Sequence, residues 1–129
     1  METKYNESTP NRPDGERILD AGFVVSDLDH YYNQLISEDA WQKNDRNAIT
    51  ICKTDHFTQV LSLLKKDAQM KESISDNLIN IQVIKGEINL HIDGNNLTMG
   101  EANVVTIHPN TVHTIAINTD SLLLISTTK

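Results

Sequence analysis

Apolar and polar residues alternate most regularly in the second half of the chain. Ile79, Ile81 and Val83 fall on one face of an extended segment, with Asn80, Gln82 and Ile84 on the other. Lys85-Gly86 turns the chain, after which Ile88, Leu90 and Ile92 alternate with Asn89 and His91. Asp93-Gly94 is a short-range hairpin signal. Gly100-Glu101 opens a further strand running through Asn103 to Ile107, residues 108–111 turn again, and strands follow over 112–117 and 121–126. Turn signals recur about every eight residues, the spacing of an all-β sandwich or closed barrel. No connection in this half is long enough to hold a helix between parallel strands.

The first half changes period. Leu28, Tyr31, Tyr32, Leu35 and Ile36 recur at helical spacing and predict one short helix over 26–37, with Ser26 as N-cap and Asp29 in the first turn. The two tyrosines read as the buried face of that helix rather than as a ligand platform. Residues 38–46 form a polar connection with one large apolar anchor, Trp41. Residues 48–53 and 57–64 predict two strands split by the turn-like Thr54-Asp55-His56, and 68–76 an irregular strand. Residues 1–17 are polar, with Pro10, Pro13 and Gly15, and read as a flexible N-terminal arm; 18–129 reads as a single domain. The apolar stretch over 18–25 is suited to pair at a sheet edge, within one subunit or across a dimer.

Charge and composition narrow the function classes. Eighteen acidic against eleven basic residues give a formal charge of −7, and aromatic content is 5%. A nucleic-acid ligand is therefore not expected. The single Cys52 excludes an internal disulfide. The first residues carry no apolar stretch of the kind a secretion signal needs, so the expected location is the cytoplasm, and no run is long enough to span a bilayer.

These segments resemble the cupin superfamily. Residues 81–88 (IQVIKGEI) resemble the strand, glycine turn and strand that close the first cupin motif, and Gly100-Glu101 followed by residues 107–113 (IHPNTVH) resembles the second. Residues 41–53, with the core DRNAIT, look like the lead-in of small single-domain bacterial cupins. The resemblance implies an all-β, double-sheet jelly-roll barrel with one short N-terminal helix and a cavity between the sheets. It also implies inward-facing metal ligands. The glutamate of the first motif would fall at Ile79 and a histidine at Ser73, neither a good ligand, whereas the histidine of the second motif is retained as His113. Asn110 replaces the usual glycine after the proline, a position that asks for positive φ, which Asn tolerates.

The expectation is a cupin-domain protein with a degenerate metal site and no cofactor, whose cavity is lined by His113, Ser73 and Gln82; His113 reads as the remnant of a metal site, or, in a variant of that reading, as the group that with Gln82 or Ser73 orients a small polar ligand. The alternative is a metal-dependent cupin enzyme, holding a divalent transition metal on His113 with His108, His91, Glu72 or Glu87. A third reading is an interaction module in which residues 18–25 add a strand to a partner. A homodimer is expected from the resemblance and from the free edges of an open jelly roll. Cys52, on a strand with only His56 near it in sequence, reads as an inert thiol.

Overall fold

Four consecutive apolar residues, Leu122, Leu123, Leu124 and Ile125, lie in a strand that is covered on both faces. The computed structural model describes residues 3–6 and 17–128. In chain order they form β1 (Lys4–Asn6), β2 (Arg17–Asp20), α1 (Leu28–Ser37), α2 (Asp39–Lys43), β3 (Arg46–Lys53), β4 (Phe57–Leu64), β5 (Gln69–Ser73), β6 (Leu78–Lys85), β7 (Ile88–Ile92), β8 (Asn95–Met99), β9 (Val104–Ile107), β10 (His113–Ile117) and β11 (Ser121–Thr128). A five-stranded sheet runs β3-β4-β11-β6-β9, a four-stranded sheet β5-β10-β7-β8, and β1 pairs with β2. Every pairing is antiparallel.

The inner faces of the two large sheets share one apolar core. Ile81, Val83, Ile107 and Leu123 come from the five-stranded sheet, and Ile88, Leu90, Ile115 and Ile117 from the four-stranded one. The outer face of the five-stranded sheet carries a second core, where Ile49, Ile51, Leu61, Leu63 and Leu122 meet the helix residue Leu35. The molecule therefore has three layers: helices, five strands, four strands. Each fully buried leucine or isoleucine stabilises this arrangement by about 2 kcal/mol. The architecture is the expected all-β double sheet, but neither sheet closes on itself, so it is an open sandwich rather than a closed barrel.

The helical layer is built as its stripe predicts. Leu35 is fully buried while Leu28, Tyr31, Tyr32 and Ile36 pack around it. The N-cap is Asp27, one residue after the expected Ser26; its carboxylate accepts from the His30 N–H at 3.2 Å. Residues 39–43 form a second, one-turn helix where a connection was expected, with Asp39 in its first turn and Lys43 in its last, the order the helix dipole favours. Trp41 anchors it as expected, packed on the outer core, with the Lys65 ammonium 4.7 Å from its ring centroid and donating to the Trp41 carbonyl at 2.6 Å. Asn47 is buried and donates to the Leu35 carbonyl and to Glu38 Oε1, each at 3.0 Å, so β3 satisfies groups that the end of α1 leaves open.

Gly86 is a corner rather than a hairpin turn, because β6 and β7 belong to different sheets. Its φ is +92°, and an added Cβ would overlap Ser121 Oγ and lie 2.5 Å from the Asp120 carbonyl oxygen. Ser121 is fully buried there; its hydroxyl accepts from the Glu87 N–H at 3.1 Å and donates to the Thr119 carbonyl at 2.7 Å. One further boundary differs from the sequence pattern. Residues 100–103 make a turn with Ala102 at φ 68°, its N–H bonded to the Val83 carbonyl at 2.9 Å, so β9 begins only at Val104. The irregularity expected around 68–76 appears as a shift in the β5–β10 register between His113 and Ile115. Among the described residues no helix is long and apolar enough to cross a membrane.

The corner yields a comparison of two glycines. Gly94, at φ +76° in the β7–β8 hairpin, has open space around its Cα, so Gly94→Ala should cost about 1 kcal/mol from backbone conformation alone. Gly86→Ala adds steric overlap with backbone and should cost about 3 kcal/mol or more in urea denaturation. Equal losses would show that the Gly86–Ser121 approach is not the restraint described.

Candidate functional site

The site is set by the alternation of β10. His113, Ile115 and Ile117 are buried while Thr114 and Ala116 are half-buried on the other side, and Ile115 and Ile117 belong to the inter-sheet core. His113 therefore faces inward at the first position of the strand, with 7% of its surface exposed. Its register partners are Ser73 on β5 and Ile92 on β7. The side chains of Ser73 and Glu72 lie outside the described residues.

The imidazole is fixed by its own strand entry. Nδ1 lies 3.1 Å from the Thr111 carbonyl oxygen, an acceptor only, so the proton sits on Nδ1 and Nε2 is left as the ring's free nitrogen. The preceding turn is held in turn: Asn110 adopts φ 64° and its N–H donates to the Ser75 carbonyl at 2.7 Å. Asn110 thus takes the positive-φ backbone that its replacement of glycine requires. Ile74 and Val112, each next in sequence to one of the paired residues Ser73 and His113, are largely exposed. The sequence reading did not single out Thr111, Ile74 or Val112; Thr111, two residues before an inward histidine, was the one visible signal.

Of the other expected cavity and ligand residues, none described joins His113. Gln82 is a correction: it alternates with the inward Ile81 and Val83 and pairs across β11 with Leu124, whose side chain packs in the helix-side core, so Gln82 occupies the opposite face of the sheet. His91 is exposed on the outer face of the four-stranded sheet, with Nδ1 2.7 Å from Asn96 Oδ1. His108 is exposed after the end of β9. Glu87 is exposed and accepts from Asn118 Nδ2 at 2.9 Å. Ile79 packs against the inter-sheet core, so the position that the cupin pattern gives to a carboxylate is alkyl and inward.

The described donors do not fit a transition metal, which takes three or more protein ligands in a common geometry. Among the described residues no three His, Cys, Asp or Glu side chains converge. Cys52 is half-buried, and burial, followed by the nearby Asp20 charge, pushes its thiol up from the usual range. That favours the protonated, unreactive form.

No family model matches this sequence, and no curated protein does. Solved structures do match the fold. A cupin superfamily protein from Desulfitobacterium hafniense superposes with a TM-score of 0.64 at 15% identity, covering 66% of this chain and 78% of that one. The cupin domain of Cnp3 from Schizosaccharomyces pombe gives 0.68 at 12% identity over 100% of this chain and 88% of that one. A cupin domain of an XRE family transcriptional regulator from Enterobacter cloacae gives 0.59 at 18% identity over 67% and 98%. The chain has the cupin fold.

The raised thiol is open to measurement. Alkylation of Cys52 by iodoacetamide at pH 7.5 should be several-fold slower in the folded protein than in urea, because the folded thiol is less ionised. Asp20→Asn should speed it, by removing a charge that opposes the thiolate. A folded rate equal to the unfolded one would contradict the assignment.

Proposed function

We propose that this cupin-fold chain is a metal-free binding protein, without catalytic machinery, that holds a small polar molecule between its two sheets with His113 as the polar contact. The observation that carries this reading is the state of the imidazole. It is buried and inward-facing, its Nδ1 is committed to the Thr111 carbonyl, and Nε2 is free to bond a hydroxyl or amide of a guest. Apolar walls with one or two oriented polar groups are the usual make-up of small-molecule pockets. The inward alkyl of Ile79 and the separate placement of His91, His108 and Glu87 favour a site without an ion.

The chain is also proposed to act as a homodimer. Phe23 and Val25 are 82% and 85% exposed in the segment between β2 and α1, and Ile18 on β2 is 45% exposed. Such a group of apolar side chains on one short segment is better accounted for by a second copy than by water.

Three measurements test these readings. Elemental analysis of the full chain purified without chelator should find transition metal far below one equivalent; near-stoichiometric metal that disappears in His113→Ala would establish the metal-dependent reading instead. Native mass spectrometry should show a co-purified small molecule that His113→Phe expels by filling the space. For the dimer, light scattering should give twice the chain mass for the wild type and one chain mass for the Phe23→Asp, Val25→Asp double variant. A monomeric wild type would end that proposal.

A further inference from the structure

The outer face of the four-stranded sheet is polar and yet concave. The strand order β5-β10-β7 puts β10 between two neighbours, and the outward residues of β10 are small, Thr114 and Ala116. Those of its neighbours are longer: Gln69 and Lys71 on β5, Asn89 and His91 on β7. The register aligns Gln69, Ala116 and Asn89 in one row, with Thr114 and His91 paired in the next. A trench follows, of about 410 Å³, floored by β10 and walled by strands that lie roughly 10 Å apart. It opens away from the inter-sheet core, so it is a different place from the His113 site.

The chemistry of the walls is one-sided. Among the described side chains that line the trench none is acidic, although the chain carries a formal charge of −7. Two acceptors are already taken. Thr98 Oγ1 donates to Asn89 Oδ1 at 2.9 Å, which leaves the Asn89 amide hydrogens facing outward as donors. His91 Nδ1–H is held by Asn96 Oδ1 at 2.7 Å, which leaves Nε2. The Lys71 ammonium has no ion-pair partner among the described residues and supplies the positive charge. The trench thus offers an ammonium, an amide donor and the Thr114 hydroxyl, with His91 Nε2 as a partner for a hydroxyl hydrogen. That set matches a molecule rich in acceptors, with charge at one end and a hydroxyl within reach.

We propose that the trench over β10 is a second ligand site, which takes a small hydroxy-carboxylate anion: the carboxylate meets Lys71 and the Asn89 amide, and the hydroxyl donates to His91 Nε2. Charge-assisted bonds of this kind are stronger than neutral ones, and the open, solvated position of the trench keeps the affinity modest.

The test is a residue-resolved amide NMR titration of the full chain with citrate at constant ionic strength, with glucose as the neutral control. Saturable shifts centred on Lys71, Asn89, His91 and Thr114 are expected with citrate, and none that saturate with glucose. Lys71→Gln should weaken citrate binding roughly tenfold, the loss of one charge-assisted contact. Asn89→Asp, which turns a donor into a like charge, should weaken it at least as much. Both residues are exposed, and spectra unchanged outside the sheet will confirm that the variants fold. Shifts that stay linear in citrate, or an affinity unaltered by Lys71→Gln, would overturn the proposal. So would saturation confined to His113 and Val112, and that outcome would support the separate inter-sheet site.

Discussion

Burial of β11 on both faces is the constraint on which this structure rests. Leu122 and Leu124 point to the helices, Leu123 and Ile125 to the four-stranded sheet, and the strand pairs with β4 on one side and β6 on the other. An antiparallel strand with one solvated face would alternate; this one cannot, because each face is half of a core. Both apolar layers therefore meet along this strand. Its first residue, Ser121, also receives the chain's passage between sheets at Gly86, so the strand fixes the corner as well as the layers.

That arrangement decides where polar chemistry can sit. The middle of the inter-sheet space is filled by Ile81, Val83, Leu90, Ile115 and Leu123, which leaves no room for a titratable cluster. A polar side chain pointing inward is tolerated only near an end, with a backbone partner close by. His113 meets both conditions, at the first position of β10 and bonded to Thr111. The same alternation that turns His113 in turns Thr114 and Ala116 out, so one strand contributes to two surfaces of different character.

Much of the fold was legible because it is local. The faces of β6, β7 and β10 follow from period-two patterns, the α1 stripe from its 3.6-residue repeat, and the backbone at Asn110 from the residue type that must adopt it. The placement of Gln82 was legible too, since alternation sets it opposite Ile81 and Val83; grouping it with His113 set a motif position above that periodicity. What sequence could not supply is non-local. Lys85-Gly86 reads alike as a hairpin or as a corner, and the difference lies in a contact with Ser121, far along the chain. The one-turn helix at residues 39–43 is too short to carry a period. The trench depends on side-chain size compared across three strands, which no single segment displays. Nor does a shared fold specify a ligand, because chemistry resides in the particular side chains placed on it.

Two arginines bear on a matter apart from ligands. Arg46, forked on Asp45, also donates to the Gln69 carbonyl of β5 at 2.8 Å, and Arg17 directs Nε and Nη2 to the Thr50 carbonyl of β3 at 2.9 and 2.6 Å. β3 and β5 are outermost strands of their sheets, so each guanidinium occupies a backbone acceptor that another molecule's strand would otherwise use. Among the described residues no side chain donates to a backbone acceptor of β8 or β9 in this way. Leu97 and Val104 stand exposed there, and those rims are where self-templated fibril growth would begin in a crowded or partly unfolded sample.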